Sequence, residues 1–221
     1  MLNFCCVKWG DKYDSVFVNR LYNMLLRNCN YKFKFYCYTD QISDFHKNVI
    51  PIQINSDLKY WWPKLDLLNY FQEGETILFD LDIVILKNIE RLLSVKTRTV
   101  SVLLSYWKKY YLRPEEQDRY PTIYNSSIMK WSGTQGIPIY QHFVTQKELY
   151  LLKYKGVDRY FFNEPVDIDI LPTSIAYSYW KGARYGKDTE SELYRGQYEV
   201  CILNHGKKNN EVKGWIHDYW Y

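Results

Sequence analysis

Residues 75–86, ETILFDLDIVIL, are apolar at nearly every position, yet two carboxylates, Asp80 and Asp82, stand in the middle. An apolar run of this kind belongs in a core. A charge taken into a core without a partner costs several kcal/mol, so buried charges are paired or bound to metal. The run predicts a buried strand over 77–86. Residues i and i+2 of a strand point to one side, so the two acids are expected to face one site. Two carboxylates so close repel each other unless one is protonated or a cation lies between them. A hard divalent cation such as Mg2+ or Mn2+ takes oxygen ligands and shares them with phosphates. The bland alternative is a pair of solvated acids at a strand end.

The surrounding pattern alternates between strand and helix. Residues 2–7 are a short apolar run ending at KWGDKY, a buried strand and its loop. Residues 15–28 carry Val16, Val18, Leu21, Met24 and Leu25, an amphipathic helix with Asp14 or Ser15 as N-cap. Further strands are expected over 33–40, ending on Asp40, and over 48–54 and 99–105. Pro63 suits the first turn of a helix, and a short helix is expected over 89–93. This order predicts an α/β fold, a Rossmann-like and mostly parallel central sheet flanked by helices. Ligands of such sheets gather at the carboxyl ends of strands. Later in the chain, 106–124 reads as a long polar and aromatic loop or insertion. A strand over 125–131, a helix over 137–154, and strands over 166–171 and 198–205 follow. The length suits one domain, residues 1–221.

Charge and composition narrow the partners. The net charge is +4 with the two signs interspersed, which argues against a nucleic-acid groove and suits a small anion such as a nucleotide diphosphate. Aromatics make up 19% of the chain, fitting either a sugar- or base-binding cleft or the codon bias of a low-GC genome. Five cysteines, an odd number without a CxxC pair, point to a reducing, cytoplasmic setting. Cys5, Cys6 and Cys37 lie in apolar runs and are expected in the core. The start lacks a signal-peptide pattern, and no run approaches about 18 apolar residues, so no transmembrane segment is expected.

Other segments offer chemistry but carry little weight alone. In NHGKKNNEV, His205 is a potential imidazole ligand, Gly206 allows close backbone approach, and Lys207 is a point charge for a phosphate. A lone histidine is more often structural. Lys64 in WWPKLDLL reads by default as solvated, and Asn125 and Ser126 in YNSSIMKW as a turn.

Taken in order, KWGDKY, W-x-KL, FDLD, NSS-I-M, D-R-x-F-x-N and HGK resemble small nucleotide-sugar-dependent glycosyltransferases of the GT-A fold. The chain is similar to glycogenin-like and galactosyltransferase-like retaining enzymes, and to short viral and bacterial glycosyltransferases, over about residues 3–215. The resemblance implies a metal site of Asp80, Asp82 and His205 for Mn2+ or Mg2+, with Asp80 also reaching the ribose. It implies Lys64, Gly206 and Lys207 at the donor diphosphate, and Val7, Lys8, Trp9, Tyr13 and Asp40 around the nucleoside. Asn125 and Ser126 would face the donor sugar, and Asp158 the reacting carbon, so that Asp158, Lys64 and Asn125 form the catalytic set. The donor is expected to be UDP-linked, the acceptor a hydroxyl of a glycan, protein or lipid, and the outcome retention. The location implied is cytoplasmic, the host's if the chain is viral. Two departures stand out: Arg159 follows Asp158 where the family often has Gln, and GKKNNEV lacks a Lys-Pro-Trp. Among other acids, Asp66 is expected to point elsewhere on its helix and Glu164 to mark a helix end.

Two rival readings remain. A haloacid-dehalogenase-type phosphatase also places its nucleophile, here Asp80, in an apolar D-x-D, but usually at the end of the first strand and before a small turn. A non-catalytic sugar-binding module would account for the aromatics but not for the acids with His205.

Overall fold

The structure, a computed structural model, describes residues 1–108, 122–180, 195–204 and 214–221. Its centre is strand β1 (Leu2–Lys8), covered on both faces. Such a strand reads as a continuous apolar run. Phe4 and Cys6 enter one core cluster and Cys5 the other, as alternation in a strand requires. β1 pairs in parallel with β2 (Phe33–Thr39) and β4 (Glu75–Phe79), and β3 (Val49–Gln53) lies parallel outside β2. Helix α1 (Ser15–Asn28) makes the first crossover, and the Asp14 side chain caps it by accepting from the Val16 amide at 3.0 Å. Its buried face is Val18, Leu21, Tyr22, Met24 and Leu25.

Beyond β4 comes β7 (Tyr124–Ser132), then β6 (Val100–Leu104) and β8 (Ile168–Ile170). Among the described strands of this sheet, β7 alone runs against its neighbours. The order is β3-β2-β1-β4-β7-β6-β8, so the expected mostly parallel sheet is present. A second sheet joins β5 (Ile83–Ile85), β10 (Val200–Ile202) and β9 (Ala176–Ser178). Helices α2 (Lys64–Tyr70) and α3 (Glu90–Ser94) belong to the first half of the chain.

Two expectations need correction. The run over 77–86 is not one strand. The chain leaves the large sheet after Phe79 and enters the small one at Ile83, with a turn between them. The turn is held from both sides: the Asp80 amide donates to the Ser127 carbonyl (2.9 Å), and the Asp82 carbonyl accepts from the Leu203 amide (2.9 Å). Both halves are buried, which is why the sequence reads as one apolar stretch. The helix expected over 137–154 is likewise two, α4 (Ile137–Thr145) and α5 (Lys147–Lys153), broken at Gln146 (φ −139°, ψ 38°). Phe143, Tyr150 and Tyr154 from the two pieces pack into one aromatic cluster with Tyr160, so their spacing runs through the break. Tyr160 lies on helix α6 (Val157–Asn163).

The ends of the segment 106–124 are tied down. Trp107 is buried in a short 3-10 turn, the Tyr106 hydroxyl donates to the Ala176 carbonyl (2.9 Å), and Tyr124 opens β7; residues 109–121 lie outside the described residues. All five cysteines are free and buried. No helix among the described residues is long and apolar enough to cross a membrane.

Gly136 is where the 3-10 turn Gly133–Gly136 meets α2. A Cβ there would lie 2.8 Å from both the Cβ and the carbonyl oxygen of Leu68. Gly136→Ala must push α2 aside and is expected to cost about 1–3 kcal/mol, the range for overpacking. Urea unfolding measures it; a midpoint equal to that of the parent contradicts the close approach.

Candidate active site

A cavity of about 310 Å3 opens at the carboxyl edge of β1 and β4. Trp9 and Tyr13, from the loop after β1, form one side, and Tyr60 and Trp61, from the segment before α2, another. Lys64, Asp80 and Asp82 also line it. The two acids thus meet in one site, through a turn rather than through the alternation of a strand. Leu81 between them is buried in the core, which anchors the turn between its two acids.

Lys64 is not the solvated lysine its sequence suggests. It is 4% exposed. Its ammonium contacts Asp80 Oδ1 at 2.5 Å and donates to the carbonyl and hydroxyl of Ser126 at 3.0 and 3.3 Å. An ammonium has three protons to donate, and here it has three acceptors. Burial first, and then the charge of Asp80, push the Asp82 carboxyl up to about 6, against the opposing pull of Lys12 and Lys64.

Ser126 reaches the site because β7 is irregular. Opposite β6 the register jumps from Val102–Met129 to Leu103–Asn125, so residues 126–128 bulge. Bulges commonly re-aim side chains beside functional sites. The Asn125 side-chain oxygen accepts from the Ser127 amide (3.2 Å) within the same irregularity. Asp158, on α6, accepts from the Ser126 amide through Oδ1 (2.8 Å). It is not a helix cap, for Gly156 holds that position. Gly156 has φ +138°, which a side chain rarely adopts, and a Cβ there would come within 2.9 Å of Trp61 Nε1.

The remaining expected residues lie around the loop after β1. Lys8 is buried and donates to the Gly10 carbonyl (3.5 Å). Asp40 Oδ2 accepts from the Gly10 amide (2.9 Å), whereas Asp40 Oδ1 is buried with no hydrogen-bond partner among the described residues. Val7 lines the cavity. Asp66 faces away, accepting from Tyr38 and Ser56, and Glu164 follows the end of α6 and pairs with Lys153. His205, Gly206 and Lys207 lie outside the described residues. Among the described residues no third His, Cys, Asp or Glu joins Asp80 and Asp82 to complete a metal-binding cluster.

Sequence reasoning missed Tyr60, Trp61, Asp11 and Lys12 as cavity residues. The signal available was the aromatic cluster YWW directly before Pro63, and the KWGDKY loop, in which Lys8, Trp9 and Tyr13 are singled out but Asp11 and Lys12 are not.

No family model matches the chain, and no curated protein matches it. Solved structures do. The chain is similar to the galactosyltransferase LgtC, solved with donor and acceptor sugar analogues, at 9% identity and TM-score 0.64 over 95% of this chain and 94% of that one. It is also similar to the bifunctional glycosyltransferase WbbM (11%, TM-score 0.65, 98% of this chain and 50% of that one). Mouse xyloside xylosyltransferase 1 aligns at 13% identity and TM-score 0.54, over 92% of this chain and 96% of that one. The fold is the GT-A fold of nucleotide-sugar glycosyltransferases.

Removing the Asp158 carboxylate takes a charge-assisted partner from the Ser126 amide. Asp158→Ala is expected to lose about 1.5–3 kcal/mol of stability in the absence of any ligand. Chemical denaturation in EDTA reads this directly. Unchanged stability would show that the contact does not hold β7 in place.

Proposed function

We propose that the chain is a metal-dependent glycosyltransferase that moves a sugar from a UDP-linked donor to a hydroxyl of a glycan, protein or lipid, with retention. The observation that carries this reading is the cavity at the carboxyl edge of β1 and β4, where Asp80 and Asp82 meet beside buried Lys64 in a GT-A frame. An all-oxygen pair lining one cavity suits a hard divalent cation, Mn2+ or Mg2+. Asp80 and Asp82 would hold it, with His205 as a third ligand. In support, the chain leaves β10 beside this turn, since Leu203 donates to the Asp82 carbonyl two residues before His205. Such a cation offsets the charge that develops on a departing diphosphate.

The protein's own groups divide the remaining work. Val7, Trp9 and Tyr13 line the nucleoside end, and Gly206 and Lys207 take the diphosphate. Lys8, buried under the same loop, supports it through the Gly10 carbonyl. Asp40 Oδ1 is a buried acceptor in want of a donor, and the ring N–H of uracil supplies one where cytosine does not. Asn125 and Ser126 face the donor sugar, with Asp158 positioning them. In the reaction the bond from the anomeric carbon to the diphosphate breaks and the acceptor oxygen bonds to the same face. The hydroxyl proton passes to the departing phosphate oxygen. Retention is favoured because, among the described residues, the cavity's carboxylates are Asp80, Asp82 and the exposed Asp11. Asp80 and Asp82 are taken as cation ligands and Asp158 is engaged with Ser126, which leaves Asp11 as the acid that a β-linked product would recast as a base. Free, buried cysteines suit a cytoplasmic setting. The phosphatase and sugar-binding-module readings gain nothing from the fold.

Thermal stabilisation by UDP, CDP, GDP and ADP, each with and without Mn2+, tests donor and metal together. UDP with Mn2+ is expected to stabilise most, and Asp40→Asn to lose the preference for UDP over CDP. Equal stabilisation by all four nucleotides, or by UDP in EDTA, overturns the assignment.

Stereochemistry is read by NMR of the new anomeric proton after incubation with UDP-sugars and simple saccharide acceptors. An α-linked donor is expected to give an α-linked product; a β-linked product refutes retention.

A further inference from the structure

Lys64 has no proton left over. Its three donors are taken by Asp80 Oδ1, the Ser126 carbonyl and the Ser126 hydroxyl, and it is almost fully buried. In this arrangement it cannot reach a donor phosphate, although it lines the cavity that would hold one. Of its three partners, the two on Ser126 are fixed by the β7 bulge and by the hold of Asp158 on the Ser126 amide. Asp80 is the partner that another cation can compete for.

We infer that Lys64 is the resident counter-ion of Asp80, which weakens cation binding in the nucleotide-free chain and couples it to donor binding. The inference rests on the assignment of Asp80 and Asp82 as cation ligands. While Lys64 sits on Asp80, a divalent cation must approach an ammonium at close range, and like charges in a partly dry site repel strongly. When a cation takes over Asp80, Lys64 keeps its bonds to Ser126 and gains one N–H free for the diphosphate. Each ligand then favours the other. Because linkage is reciprocal, nucleotide must tighten cation binding by the same factor by which the cation tightens nucleotide binding. Lys64 thereby acts as a gate against cation binding without donor, distinct from a simple phosphate contact, which would leave cation affinity in the absence of nucleotide unchanged.

The test measures free Mn2+ by electron paramagnetic resonance in titrations of the parent chain and of Lys64→Met, with and without UDP. Lys64→Gln, which keeps a donor for Ser126, replaces Lys64→Met should the latter fail to fold; circular dichroism identifies that case. The neutral variant is expected to bind Mn2+ at least about tenfold more tightly than the parent without UDP, since the repelling charge is gone. The factor by which UDP tightens Mn2+ binding is expected to shrink. Lys64→Arg, which keeps the charge, is expected to bind Mn2+ as weakly as the parent without UDP. If the parent binds Mn2+ and the neutral variants bind it no more tightly, the counter-ion role is overturned while the cation site stands. If neither parent nor variant binds Mn2+ even with UDP, the cation site itself fails and the counter-ion role goes with it.

Discussion

One buried ammonium sets the geometry of the candidate site. Lys64 ties the first turn of α2 to the β7 bulge and to the turn between β4 and β5. A lysine this deep is tolerated only where its charge and all its protons are answered. Meeting that condition fixes three elements relative to one another. Pro63, with φ −57°, starts α2 at the point that delivers Lys64 inward. The register jump in β7 turns Ser126 toward it, and Asp158 keeps Ser126 there. The site is therefore held by a chain of bonds running Asp158, Ser126, Lys64, Asp80, with a member on each of four segments.

The acids are possible because the chain changes sheets between them. β4 carries the backbone to the edge of the large sheet, and β5 takes it into the small one. At the crossing, Leu81 is in the core while Asp80 and Asp82 line the cavity. A continuous strand would have left a carboxylate at a position demanding either a ladder neighbour or solvent. The turn supplies an edge open to the cavity, with its backbone groups still paired to Ser127 and Leu203.

Most of the frame was legible because local pattern and burial agree there. Residues 15–28 show helical spacing with a capping acid and form a helix with those limits. The apolar runs of β1, β2 and β3 are strands because each is short and bounded by turns. What was not legible depends on distant partners. An apolar run states that it is buried, not in which sheet, so the division at Asp80 was hidden. Gln146 breaks a helix whose apolar faces converge on one aromatic cluster, so periodicity carried no sign of it. Lys64 looks like any lysine in a first helical turn, since its partner Ser126 stands 62 residues away in the chain. The acids were found by their unusual neighbours, whereas Tyr60 and Trp61 were lost in an aromatic-rich sequence.

Those two aromatics also connect the cavity wall to its floor. Tyr60 has φ 62°, a left-handed conformation that costs a non-glycine residue roughly 1–2 kcal/mol. Its ring lies 4.5 Å from that of Trp9 and 5.6 Å from that of Trp61, contacts that offset the strain. Trp61 in turn packs on Gly156, where any side chain would collide with its indole. Gly156 begins α6, and α6 carries Asp158. The helix that secures Ser126, and through it Lys64, is thus the helix on which the aromatic wall rests. Wall and floor share one support, so a shift of α6 would move the groups proposed for base, sugar and cation together rather than one at a time.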